Sequence, residues 1–154
     1  MAAPSMTVVS DKPTTATGRG KAMVVDDERS NRMIISALLR QIGYTVIAAK
    51  NGAEAVELFR AEEPDLILMD IMMPVMDGYE AVERIKSEPG DAFTPVIFLT
   101  GVTDEQELAN RIEVGGDDFL TKPFNNTLLT AKIQAMERIS LLHKQLNMLY
   151  ARTQ

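Results

Sequence analysis

Three aspartates, a threonine and a lysine stand at the carboxyl ends of short apolar runs: Asp26 and Asp27 after AMVV, Asp70 after LILM, Thr100 after PVIFL and Lys122 after DFLT. If those runs are neighbouring strands, three carboxylates, a hydroxyl and an amine converge on one edge. Carboxylates held close together repel, and their pKa values rise unless a positive partner is near. A hard divalent cation with oxygen ligands relieves that repulsion, and Mg²⁺, which takes one or two carboxylates and a phosphate oxygen, is the natural candidate. Lys122 adds a second positive charge. Carboxylate, cation, ammonium and hydroxyl together suit phosphoryl transfer, with one carboxylate spare to act as a nucleophile and form an acyl phosphate.

Each residue also has an ordinary explanation. An Asp-Asp pair before a helix is commonly a cap or a dipole-favoured first turn. An Asp after a strand, a Thr-Gly and a Lys-Pro are commonly turn residues. What is hard to obtain by accident is their joint placement at the ends of separate strands.

The elements that must position them follow from periodicity. Apolar runs at 22–25, 45–49, 66–69, 95–99 and 118–121 alternate with helical stretches. The first helix is predicted over 30–42, with Met33, Ile34, Leu38 and Ile42 at helical spacing and Gly43 as its stop. Asn51 caps a helix running through Phe59, with Ala55, Val56 and Phe59 inward, and Pro64 breaks the chain. A loop, IMMPVMDG, separates Asp70 from a helix over 79–87. A helix over 104–114 is stopped by Gly115-Gly116, and Asn125 or Asn126 caps the last helix. Near-continuous apolar strands alternating with helices imply a parallel sheet covered on both faces. Right-handed crossovers make it a doubly wound α/β sheet of five strands, whose ligands sit beyond the carboxyl ends of the strands at the topological switch point.

The totals fit one such domain. The chain has 154 residues, 45% hydrophobic and 25% charged, with a net charge of −6. The acidic balance speaks against direct nucleic-acid binding by this domain. With no cysteine, disulfides, thiolate metal sites and cysteine nucleophiles are excluded, and His143, the single histidine, leaves no material for a histidine-based metal site. No apolar run reaches the roughly 18 residues that cross a membrane, and no hydrophobic signal core is visible. A cytoplasmic location is expected. Residues 1–20, rich in Ala, Thr, Pro, Gly and Ser, read as a flexible tail.

Four strings carry a resemblance to a known family: MVVDDE at 23–28, DLILMDIMMPVMDG at 65–78, PVIFLTG at 95–101 and GGDDFLTKPF at 115–124. Over 21–136 the chain resembles the receiver domain of bacterial two-component response regulators. That resemblance implies a flavodoxin-like (βα)₅ fold and a role for each residue. Asp70 is implied as the phosphoacceptor. Asp27 is implied to bind Mg²⁺ directly, Asp26 mainly through water, and the backbone carbonyl of Met72 to complete the protein ligands. Lys122 is implied to pair with a phosphoryl oxygen, and Thr100 to swing its hydroxyl onto another. Phe119 takes the place of the switch aromatic, often Tyr in the family. Lys122-Pro123 is implied to be cis, and Gly78 to permit the turn after the phosphoacceptor loop. The implied partner is a histidine kinase or phosphotransfer protein. The implied behaviour is a phosphorylation-driven exchange between two states, with no turnover of an external substrate.

The last helical stretch, about 126–152, outruns what such a domain needs. Leu129, Ile133 and Met136 can cover the sheet; beyond them Ile139, Leu142, Leu146 and Leu149 follow a 3-4-3 spacing. That is a coiled-coil seam, and residues 137–154 are read as a dimerising or signal-transmitting helix leading to an output domain outside this chain. The competing form is an amphipathic helix lying on its own domain. Two other functions compete with the switch. An Mg²⁺-dependent aspartyl-phosphate phosphatase usually places a second acid two residues after its nucleophile, where this chain has Met72. A phosphorylation-independent adaptor usually lacks one of the acidic or lysine residues, all of which are present.

Overall fold

The computed structural model describes residues 19–71, 73, 75–87, 93–101, 117–122 and 125–152. The elements in chain order are β1 (Lys21–Val25), α1 (Arg29–Ile42), β2 (Thr45–Ala49), α2 (Gly52–Glu62), β3 (Leu66–Asp70), α3 (Gly78–Lys86), β4 (Val96–Thr100), β5 (Asp118–Thr121) and a C-terminal helix, here α4 (Asn126–Arg152). The helix expected over 104–114 lies outside the described residues, as do Met72, Pro123 with its expected cis bond, and nearly all of the expected tail.

Every strand pair is parallel, and the order β2-β1-β3-β4-β5 makes this the doubly wound α/β sheet expected. The chain steps one way from β1 to β2, then crosses to β3 and continues the other way. The carboxyl ends of β1 and β3, side by side, form the switch point where such folds bind ligands.

Strand alternation divides the core. Ala22, Val24, Leu66, Leu68, Ile97 and Leu99 face one side, where Ile35 and Leu39 of α1 and Leu129, Ile133 and Met136 of α4 cover them. Met23, Val25, Ile67, Met69, Val96 and Phe98 face the other, under Ala55 and Val56 of α2 and Ala81, Val82 and Ile85 of α3. Strands buried on both faces have no polar alternation, which is why they read as unbroken apolar runs.

Side-chain caps set the starts of α2, α3 and α4. Asn51 accepts the Glu54 N–H at 2.8 Å, as expected, and Asp77 and Asn125 accept those of Glu80 and Leu128 at 2.9 and 2.6 Å. The inward face of α1 differs in part from expectation: Leu38 and Ile42 pack against the core as their spacing suggested, but the other two residues do not. Met33 and Ile34 are exposed, at 60% and 62%, while Ile35 and Leu39 are buried. Ile35 and Leu39 also stand at helical spacing with Leu38 and Ile42, and the position of the sheet selects that stripe.

Val75, in the loop after β3, has φ 73° and its side chain is exposed. A β-branched residue is disfavoured in the left-handed region, and such strain costs about 1–3 kcal/mol. Val75→Asn, which tolerates that region, is expected to raise stability by about 1 kcal/mol, read as a higher urea midpoint at unchanged slope. A lower midpoint would show that Val75 makes contacts worth more than the strain.

Candidate functional site

The expected polar residues gather at the switch point. Asp26 follows β1 directly; its backbone N–H bonds the Ala49 carbonyl at 3.2 Å, extending the ladder by one residue. Its side chain is fully buried, and its Oδ1 accepts the Glu28 N–H at 2.9 Å. Arg32 on α1 donates to the Asp26 carbonyl at 2.8 Å and so fixes the turn that presents Asp27 to solvent. The ordinary explanation of this pair as a helix cap does not hold: Glu28 is the cap residue of α1, and no side chain caps it.

Asp70 ends β3 and is buried. One carboxylate oxygen from each of Asp26, Asp27 and Asp70 lies within 4.8 Å of the others. The Lys122 ammonium stands 3.2 Å from Asp70 Oδ1 and 3.4 Å from Asp26 Oδ2. Its backbone position is set by a bond from its N–H to the Thr100 carbonyl at 2.6 Å, across the ends of β4 and β5.

The charges are unbalanced. Burial pushes the Asp70 carboxyl from its ordinary 3.8 up to about 6, and the charge of Asp26 adds to the rise, against the pull of Lys122. Burial works against the Lys122 ammonium too, but Asp70 and then Asp26 hold its pKa above the ordinary value. Three carboxylates facing one ammonium leave a net negative pocket of hard oxygen donors. That donor set suits a small divalent cation.

Thr100 is buried at the end of β4, and Phe119 is half-buried on β5. Phe98 pairs in register with Phe119, and Thr100 with Thr121, so alternation puts Thr100 and Phe119 on the same face of the sheet. The structure thus brings Asp26, Asp27, Asp70 and Lys122 into one cluster, and sets Thr100 and Phe119 on adjacent strands beside it. Met72 is outside the described residues. Gly78 is at the site for a different reason from the one expected. Among the described residues, the glycines with positive φ are Gly20 and Gly43. What Gly78 supplies is room: a Cβ there overlaps the Asp70 carbonyl oxygen and lies 2.9 Å from Ile71 Cα.

Sequence reasoning missed Arg32 and Lys132. Arg32 looks like any exposed helix residue, since its target is a backbone carbonyl. Lys132 on α4 bonds both Asp118 carboxylate oxygens, at 3.0 and 3.1 Å, and stands over the Phe119 ring, a long-range contact without a local signal.

Comparison with known proteins agrees with this geometry. The family model described as the response regulator receiver domain matches residues 22–134. The chain is 42% identical over 118 residues to the "Probable transcriptional regulator ycf27" of Guillardia theta, covering 77% of this chain and 45% of that protein. It is 36% identical over 120 residues to the "Alkaline phosphatase synthesis transcriptional regulatory protein PhoP" of Bacillus subtilis (strain 168), covering 78% and 49%. The chain therefore spans about half the length of these curated relatives. Among solved structures it is similar to the Vibrio cholerae chemotaxis protein CheY4, with TM-score 0.71 and 34% identity over 75% of this chain and 97% of that one. It is equally similar in fold to the signal receiver domain of a signal transduction histidine kinase from Syntrophus aciditrophicus, with TM-score 0.71 and 33% identity over 77% of this chain and 90% of that one. No described helix is long and apolar enough to cross a membrane. With the family's fold, its sheet order and its acidic cluster in place, the chain belongs to the response regulator receiver domain family.

Proposed function

We propose that this domain is a phosphorylation-activated switch in which Asp70 accepts a phosphoryl group from a histidine kinase or phosphotransfer protein. The observation that carries this is the cluster itself: three carboxylate oxygens within 4.8 Å, with an ammonium 3.2 Å from Asp70. An Asp70 carboxylate oxygen attacks phosphorus. The phosphorus–nitrogen bond of the donor phosphohistidine breaks, and the imidazole nitrogen keeps the electron pair. Lys122 pairs with a phosphoryl oxygen, and its positive charge offsets the charge that Asp70 gains. Asp26, Asp27, Asp70 and the Met72 carbonyl would hold Mg²⁺, which supplies further positive charge where the phosphoryl oxygens gather. The Thr100 hydroxyl then turns to a phosphoryl oxygen and Phe119 follows it, shifting the population of two states that a partner distinguishes. The domain assists its own modification and turns over no external substrate. We place it in the cytoplasm.

The test uses the full chain with acetyl phosphate and Mg²⁺, followed by intact mass. Wild type is expected to gain the mass of one phosphoryl group and Asp70→Asn none. A gain that persists in Asp70→Asn, or one indifferent to chelation of Mg²⁺, would overturn the assignment. Steady release of inorganic phosphate over many turnovers would instead favour the phosphatase.

We further propose that residues 21–136 form the receiver, with 1–20 a tail and 137–154 a helical linker to an output domain outside this chain. Relatives roughly twice the matched length, named as transcriptional regulators, support this. On the linker, Ile139, Leu142, Leu146 and Leu149 are all exposed, and their spacing suits pairing with a second copy. Leu142→Lys with Leu146→Lys is expected to give a monomer by sedimentation at concentrations where wild type is dimeric; equal masses for both would count against the homodimer.

A further inference from the structure

Phe119 is tied to α4 by a knot of three residues. Asp118 and Leu120 face the α4 side of the sheet, and Phe119 faces the other. Because β5 is the edge strand, a side chain from α4 can contact both a residue facing α4 and the neighbouring residue at the sheet edge. Lys132 does so. Its ammonium is held at 3.0 and 3.1 Å from the two Asp118 oxygens and stands 5.6 Å from the Phe119 ring centroid. Asp118 Oδ1 also accepts the Phe119 N–H at 2.8 Å. One carboxylate therefore fixes both the backbone of the aromatic residue and the cation above its ring. The ammonium and the carboxylate are each about three-quarters buried, so bulk water screens this arrangement only partly.

We propose that Lys132 is a positioning residue for Phe119, holding the ring in the place seen here and linking its movement to α4. This rests on the reading of Phe119 as the moving aromatic. A cation over an aromatic face favours that ring position in the free protein. A ring turning toward Thr100 leaves the cation behind, so Lys132 opposes the movement until phosphorylation outweighs it. The contact lies on the helix that carries the exposed apolar seam, so α4 experiences each change of the ring. In the two-state description, removing the cation raises the population of the second ring position before any phosphoryl group is present.

The experiment labels the phenylalanines of the full chain with fluorine and follows the Phe119 resonance, assigned by its disappearance in Phe119→Leu. Without phosphodonor, Lys132→Met is expected to increase the second ring position roughly two- to fivefold. Lys132→Arg, which keeps a cation and can still bond both Asp118 oxygens, is expected to match wild type. Lys132→Gln is read in the same way as Lys132→Met and replaces it if that variant does not fold. A wild-type ring population in the neutral variants, or an equal shift in Lys132→Arg, would overturn the proposal. The comparison needs no phosphorylation. Absence of a mass gain sinks the Asp70 assignment alone, and an unmoved resonance sinks the role of Lys132 alone.

Discussion

Metal-free Asp70→Asn protein is expected to be more stable than wild type at pH 7, by about 2–3 kcal/mol, and no more stable at pH 3.5. The folded chain raises the Asp70 carboxyl from 3.8 to about 6. Every tenfold gain in proton affinity on folding corresponds to about 1.4 kcal/mol. A carboxyl whose pKa is raised on folding binds its proton more tightly in the native state. Its contribution is therefore fully present below about pH 4 and is lost as pH rises through about 6. Asparagine carries no charge at any pH and escapes that loss. Burial of Asp70, with a side chain only 7% exposed, and the neighbouring Asp26 charge are the physical origin. Urea unfolding of both proteins with chelator present, at pH 3.5, 5 and 7, isolates the effect of this one charge, because the other carboxylates titrate in both. A constant difference across that range would show that Asp70 is not destabilised by its surroundings. Mg²⁺ is expected to raise the midpoint of wild type and to narrow the gap at pH 7. The residue on which the proposed function depends is thus one whose charge the free fold resists.

Gly78→Ala is expected to destabilise the domain by about 2–3 kcal/mol and to impair phosphoryl acceptance. Helix propensity alone gives the opposite sign, since alanine is favoured over glycine by up to about 1 kcal/mol in a helix. Gly78 is the first residue of α3, and its N–H bonds the Ile71 carbonyl at 3.0 Å. That bond draws the start of α3 against the end of β3. A methyl group there meets the Asp70 carbonyl oxygen and lies 2.9 Å from Ile71 Cα and 3.1 Å from Met69 Cγ. Two of these three neighbours are backbone atoms of the segment that carries Asp70, and they yield only if that segment moves. Gly101, whose Cβ would meet nothing within 4 Å, supplies the control: Gly101→Ala is expected to change stability by less than about 0.5 kcal/mol. Comparable urea midpoints for the two variants would refute the crowding at Gly78.

Legibility in the sequence differs by residue. Asp26, Asp70 and Thr100 were visible because β1, β3 and β4 are buried on both faces and apolar, so the first polar residue marks the end of each. Asp27 follows Asp26 directly, and Lys122 was legible from the GGDDFLTKPF string, since the edge strand β5 is itself partly polar. Parallel strands all end on the same edge. The caps at Asn51 and Asn125 were legible because capping is a bond between near neighbours.

Other features depended on contacts distant in sequence. Spacing grouped Met33, Ile34, Leu38 and Ile42 on α1; Leu38 and Ile42 do pack on the core, but Ile35 and Leu39 fill it in place of Met33 and Ile34, because a helix offers several apolar stripes and only the sheet chooses among them. Gly78 was expected to ease a turn, and its task is close approach, which no local pattern encodes. Residue order alone was enough for the strands, their common edge and the side chains delivered there, since burial and periodicity leave their mark along the chain. The inward face of α1, the raised pKa of Asp70 and the contact of Lys132 with Asp118 and Phe119 were settled by packing, since each depends on groups brought together from different elements.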